Sequence, residues 1–452
     1  METPGNNNQT RFLIAAVLSM VVLFGYSYFF APKRPVDNTN ANVAANTNTA
    51  QSATPQPAPT AQTTQPQTVA ETTPDTTPNR TITIKSPLYE VTLDSKGAIA
   101  TSWVLLQNRS PKEERQLWAD GSTDSDKKPL QLISPEALAK SPREVPFRLS
   151  TDDTAINGFI NDRNYAVTGA DGDVVLAAGQ EKQIDFTLTD ASGVEVTKTF
   201  VFRADNYIAD LSVKLTKGGQ AVPNSKLLIG ASVGDQAIQH HSFYHIEPEA
   251  IAFVNDAESR HPGTGFTFDP NNQSTLSIPG NVNWAGVADA YFAMVAIPSQ
   301  QAQAVEYRAS KYEFATAPYY DGIISFVTQS KKSSETRHLI TAYLPIAADG
   351  SVTRVYTGTK DYFTLKDYNS SLTASVGRNI DIVPLINFSN YSWIRPITSR
   401  LAIPIIYSLN FFNGLTHNYG VAIIVFTFLF YMLLFPLRWS QSRSFKKASG
   451  NA

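Results

Sequence analysis

The stretch NYGVAIIVFTFLFYMLLFPL, Asn418 to Leu437, limits this chain more than any other. From Tyr419 to Leu437 there is no charged residue, and apolar side chains fall on every side a helix would present. A helix on the surface of a soluble domain keeps one polar face. This run lacks one, and it meets the ~20 residues needed to cross a bilayer. We therefore expect a transmembrane helix; the competing reading is a helix buried in a protein core. The tail that follows carries Arg438, Arg443, Lys446 and Lys447 and no acidic residue. Basic residues flanking a span are retained on the cytoplasmic side, so the C-terminus is expected there.

A second apolar run, Phe12 to Phe30, closes on Tyr28, Phe29 and Phe30. Signal peptides end in small residues at their cleavage site, so an uncleaved anchor is the preferred reading over a signal peptide. Two spans make a hairpin, which puts the N-terminus on the cytoplasmic side as well. The chain between them then lies outside the inner membrane.

What lies between changes character twice. Residues 35–79 have no aromatic residue and almost no charge, and are rich in Pro, Thr, Gln and Asn. Such a segment buries too little apolar surface to offset its chain entropy and is expected to be a disordered tether. From Arg80 the pattern turns to period two. Tyr89, Val91 and Leu93 alternate with Glu90, Thr92 and Asp94, with a turn at Asp94 to Gly97. IDFTLTDASGVEV predicts a hairpin with Ile184, Phe186 and Leu188 on one face and a turn at Gly193. Ala209, Leu211, Val213 and Leu215 repeat the alternation. Strands and turns at this spacing predict a large antiparallel sandwich with few helices.

Residues 383 to 418 read differently. Trp393, Ile397, Leu401, Ile405, Leu409 and Phe412 recur at helical spacing, with Arg395, Thr398, Arg400, Ser408 and Asn410 on other faces. Pro396 and Pro404 are expected to break this stretch into short helical pieces. An amphipathic helix beside a span is expected to lie in the membrane interface; the alternative is a last helix packed on the sandwich.

Composition narrows the chemistry. The 452 residues include no cysteine, which excludes disulfides, thiolate metal sites and a cysteine nucleophile. A net charge of -2 and no basic stripe give no sign of nucleic acid. GASVG, Gly230 to Gly234, fits G-x-S-x-G around Ser232, but that motif needs a strand-to-helix turn over a parallel sheet; a strand with a bend at glycine is the better reading. His240, His241 and His245 have metal-like spacing without a third-ligand motif, so ordinary histidines are expected. No cofactor, metal or covalent chemistry is predicted.

The closing span resembles the first core span of the YidC/Oxa1/Alb3 membrane protein insertases: Asn418, Gly420, Ile423, Ile424, Thr427, Pro436 and Leu437 match its pattern. TKTFVFRADNY (Thr197 to Tyr207) and NWAGVADAYFAMVAIP (Asn283 to Pro298) are similar to the periplasmic domain of the Gram-negative type. The resemblance implies cytoplasmic residues 1–11, an anchor at 12–30, a linker at 31–79 and a periplasmic β-supersandwich at 80–380. It further implies an interfacial helix region at 381–417 that carries Trp393, Arg395, Ile397, Arg400, Leu401 and Ile405. A span at 418–437 and a basic cytoplasmic tail at 438–452 complete the order.

By the same resemblance the chain would assist insertion and folding of inner-membrane proteins, with nascent membrane proteins, the Sec translocon and membrane lipids as partners. Thr427 and Tyr431, four apart and so on one helix face, would line the client groove. Tyr431 stands where that family usually carries an arginine, and the family's core has four further spans. This leaves three expectations open: a truncated product, a split insertase completed by a second chain, or a membrane-tethered binding module without insertase activity.

Overall fold

The structure, a computed structural model, describes residues 75–449 apart from 111–112, 120–121, 231–232, 234–247, 321–326 and 390–392. The anchor run, most of the linker, Ser232 and His240, His241 and His245 lie outside the described residues.

Strands dominate from Thr81 to Thr359. The period-two segments form as their alternation requires. Tyr89–Asp94 buries Tyr89, Val91 and Leu93 and turns the intervening residues outward. Glu181–Thr189 and Val194–Arg203 make the expected hairpin, paired from Glu181↔Arg203 to Thr189↔Glu195. Its turn is closed by Gly193 at φ +82°, a left-handed conformation that glycine adopts without steric cost.

Among the described residues the strands form a five-stranded sheet, a fourteen-stranded sheet and a separate two-stranded ribbon. The pairing is antiparallel as expected, with one exception. Thr81–Lys85 pairs in parallel with Val174–Val175, through Ile84↔Val174 and Lys85↔Val175. That pairing joins segments far apart in sequence, which a hairpin cannot do.

The two larger sheets meet through aromatic rings. Tyr89 and Trp103 from the smaller sheet lie 6.3 and 6.2 Å from Phe202 of the larger one. Phe147 bridges Trp103 at 6.1 Å and Phe200 at 5.1 Å. Each such pair adds roughly 0.5–1.5 kcal/mol beyond the area it buries. The segment Thr197 to Tyr207 thus owes its pattern to the core: Phe200, Phe202 and Tyr207 are fully buried.

Long strands bend to serve both halves of the larger sheet. Gln273–Ala288 pairs with Ala302–Tyr319 up to Val282↔Ala302, then with Phe292–Ile297 from Ala285↔Ala296. The switch is an irregularity between Pro279 and Val282, where Gly280 has φ +130° and a Cβ would meet the Asn255 side chain at 2.5 Å.

Three helices lie among the strands and after them: α1 (Pro135–Ala139), α2 (Thr154–Asp162) and α3 (Tyr362–Val376). Three helices in a domain of this length agree with the expectation of few; α3, with fifteen residues, is the longest of them. It is capped at one end by Asp361, whose carboxylate accepts from Thr364 N at 2.9 Å, and at the other by Gly377 in the left-handed region. These caps satisfy end groups that a weakly amphipathic sequence does not advertise.

Two long helices close the described chain: α4 (Arg395–Thr416) and α5 (Tyr419–Ser449). The expected break of α4 into pieces does not occur. Pro396 sits in the first turn, where its missing N–H has no partner to lose. Pro404 removes one internal bond, and the helix continues through it for three more turns. Likewise α5 runs past Leu437 through the basic segment, with Pro436 inside it.

Candidate membrane-facing site

The approach to α4 is a chain of buried charges. Lys360, at the end of the strand Asp349–Thr359, donates to Asp289 O at 2.6 Å and lies 3.7 Å from Glu249. Glu249 pairs with Arg260, which also donates to Pro384 O and lies 3.3 Å from Glu258. Glu258 in turn pairs with Arg395, the first residue of α4, whose Nε donates to Ser389 O at 3.0 Å. The five side chains are between 4% and 19% exposed. The relay therefore carries two carboxylates for three cations, away from water, and its geometry fixes how α4 leaves the β domain. A second hold lies about three turns of helix further on. Tyr407 sets its ring edge-on to Tyr362 and Phe363 of α3, at 6.0 and 5.1 Å, and Lys366 Nζ donates to its hydroxyl at 2.8 Å.

The turn into α5 is equally specified. His417 takes a left-handed conformation, φ +52°, and its N–H bonds Asn413 O at 2.7 Å. Asn418 is the N-cap of α5; its Oδ1 accepts from Gly420 N at 2.8 Å and Val421 N at 3.2 Å. Tyr419 donates to Asn410 Oδ1 at 2.6 Å, tying the two helices together. Ala422 is fully buried where they approach.

Among the described residues, little protein covers the rest of this helical hairpin. No residue of α4 is buried. Ile397, Leu401, Ile405, Phe411 and Leu415 form one exposed apolar stripe on it. On α5 large apolar side chains are exposed all round, Ile424, Phe428, Leu433 and Phe435 among them. Tyr419–Pro436 is long and apolar enough to cross a membrane by length and composition, and only one of its residues is buried. Among the described residues nothing covers this run as a core would cover a helix, which argues against the core-helix reading.

The residues singled out from sequence fall as follows. Thr427 and Tyr431 are both exposed, one helical turn apart on α5. Trp393 stands exposed in the turn before α4, and Arg400 is exposed on α4. Arg395 is turned into the protein by Glu258 rather than left on an outer face. Arg438, Arg443, Lys446 and Lys447 lie along the continuing helix. Sequence reading missed Glu249, Glu258, Arg260 and Lys360. The available signal was charged residues at alternate positions of one strand, as in Glu258 and Arg260.

Residues 81–403 match the family model for the YidC periplasmic domain, from the first strand through the charged relay into α4. The chain belongs to the YidC family. Three relatives carry the name membrane protein insertase YidC. That of Syntrophus aciditrophicus is 25% identical over 96% of this chain and 71% of its own length. That of Geobacter sulfurreducens is 27% identical over 97% and 70%, and that of Chlorobaculum tepidum 23% over 82% and 54%. The YidC-family match ends at residue 403, inside α4, so the family's periplasmic domain includes the relay that fixes that helix.

The relay has a pH signature. Burial pulls Lys360 down to about 8, against the opposing pull of Glu249. Below that pH the ammonium is charged in folded and unfolded chains alike, and its burial penalty is fully present. Above it the folded chain sheds the proton while the unfolded lysine, near 10.4, keeps it, so stability rises with pH. The unfolding free energy from denaturant titrations should climb between pH 8 and about 10, by up to ~1.4 kcal/mol per pH unit from this group. Lys360→Met should remove that share of the slope. An unchanged slope in the variant would show that the charge relay is not as dry as its geometry indicates.

Proposed function

We propose that this chain is a membrane protein insertase and chaperone, assisting integral proteins of the inner membrane with or without the Sec translocon. The observation that carries this reading is the uncovered apolar hairpin of α4 and α5, fixed to a YidC-type periplasmic domain by buried charges. The names of its relatives point the same way. In this reading α5 spans the bilayer and its Thr427–Tyr431 side offers polar atoms to client segments sliding past. Two polar side chains at that depth reduce the penalty a client's own polar groups meet in hydrocarbon. Through its apolar stripe, α4 rests in the outer interface, with Arg400 at headgroup level. The β domain stands in the periplasm, the Phe12–Phe30 run anchors it, and the basic residues after Leu437 stay cytoplasmic. Work of this kind is non-covalent.

The alternative is a tethered periplasmic binding module without insertase activity. Depletion of the protein separates the two. Small inner-membrane proteins should accumulate uninserted within minutes of pulse labelling, and re-expression of the chain should restore them. A membrane proteome that stays intact on depletion would rule out the insertase reading.

A further inference from the structure

A cavity of about 180 Å³ opens beside the Asp94–Ile99 turn. Its other walls are the loop from Lys140 to Arg148 and the C-terminal end of α2. Lys96, Lys140, Arg143 and Arg148 line it, against one carboxylate, Asp162. Two of the cations are already engaged. Arg143 pairs with Asp94 at 3.0 Å, and Lys140 pairs with Glu144 at 2.8 Å and donates to Ser310 at 2.7 Å. The Lys96 ammonium and the half-buried Arg148 guanidinium make no hydrogen bond or ion pair with a described residue. Asp162 and Glu144 act on Arg148 only at a distance.

Behind the wall lies Lys198, wholly buried and without a carboxylate partner among the described residues. Its Nζ donates to Gly97 O at 2.7 Å, Ala98 O at 3.1 Å and Phe147 O at 2.7 Å. Three acceptors match the three protons of an ammonium, while burial and nearby Arg148 act against its charge. The same carbonyls belong to the turn and the loop that form two walls of the cavity. The site is thus rigid and built from both sheets. It also holds more positive charge than its carboxylates balance. Counting Asp94 and Glu144, three acids face five bases.

We propose that this cavity binds a small oxyanion of the phosphate class, held by Arg148 and closed over by Lys96 and Arg143. Its volume lies below the roughly 300–1,000 Å³ of pockets for larger organic ligands. A guanidinium with unused donors offers a two-pronged fit to such an anion. The anion also offsets the charge that opposes Lys198. Free phosphate and the phosphodiester of a lipid headgroup share this chemistry.

The test is thermal unfolding of the full chain in detergent, followed by tryptophan fluorescence, in chloride, inorganic phosphate or glycerophosphoglycerol at matched ionic strength. At ligand well above Kd the midpoint should rise by about 2 °C or more. A rise with phosphate alone identifies the free ion, and a rise with the diester identifies a headgroup; both support the site. Arg148→Gln should abolish the rise and the exposed Lys96→Gln should shrink it, while Lys214→Gln, on an outward strand position elsewhere, should keep it. No anion-specific rise in the unaltered chain would overturn the proposal. So would a rise that persists in full in both Arg148→Gln and Lys96→Gln.

Discussion

Trp284→Ala lowers the unfolding free energy of the β domain by about 4 kcal/mol, the range for removing a large aromatic side chain from a packed core. Trp284 is fully buried, and its ring stacks on Phe253 with centroids 5.8 Å apart. Its indole N–H donates to Asp381 O at 2.8 Å. Alanine therefore leaves a cavity and also strips a carbonyl of its donor. The second loss matters for position as well as stability. Asp381 also takes Asn369 Nδ2 at 2.6 Å and Val383 N at 2.9 Å through its carboxylate, so it locks α3 to the segment that leads into α4. Trp284→Phe separates the two terms, keeping bulk while giving up the hydrogen bond, and should cost about 1–2 kcal/mol. Guanidinium unfolding of the full chain in detergent, read by near-ultraviolet circular dichroism, measures both. A loss below 1 kcal/mol in the alanine variant would mean the site collapses around the gap, and that Trp284 does not organise this corner.

What the sequence announces and what it hides divide along the range of the interaction. Tyr89–Asp94 and the hairpin of Ile184 and Val196 are readable because a strand with one wet face alternates by necessity. Lys198 was readable in the same way: it shares parity with Val196, Phe200 and Phe202, so the register that buries them buries it. Pairings such as Ile84 with Val174 depend on contacts ninety residues apart, and no local pattern encodes them. Helix α3 was hidden because its stability comes from two caps and from Tyr362, Phe363, Leu365 and Leu372 meeting the domain, while its exposed face, Lys366, Asp367, Ser370, Ser371, Ala374 and Ser375, shows no helical apolar period. The proline argument misjudged α4, since Pro396 occupies a first-turn position and the cost at Pro404 falls on one bond in a long helix. In the site, the uninterrupted apolar run of α5 could be read directly, whereas the capping role of Asn418 appears only in the structure. The relay of Lys360, Glu249, Arg260 and Glu258 could not, because it assembles from three separate strands.

On the proposed reading, in which α5 spans the bilayer, Phe428→Arg should remove that helix from it. Phe428 lies at the middle of Tyr419–Pro436 and is exposed, so its substituent would face hydrocarbon with no protein group to pair with among the described residues. Arginine at the centre of a span costs about 3 kcal/mol on insertion scales, and the lost phenyl adds a few tenths. That is roughly a few-hundred-fold shift in the insertion equilibrium. The chain has no cysteine, so Lys447→Cys gives a single reporter. A membrane-impermeant maleimide added outside spheroplasts should leave it unlabelled in the otherwise unaltered chain and label it when Phe428 is arginine. Two neighbours sharpen the comparison. Tyr431 and Met432 differ by one residue, about 1.5 Å in depth, but point about 100° apart around the helix. If the Thr427–Tyr431 side faces a polar groove, Tyr431→Arg stays inserted while Met432→Arg does not, because water or client polar groups solvate only the first. Equal labelling of those two variants would remove the groove from that side of the helix and leave α5 as an anchor alone.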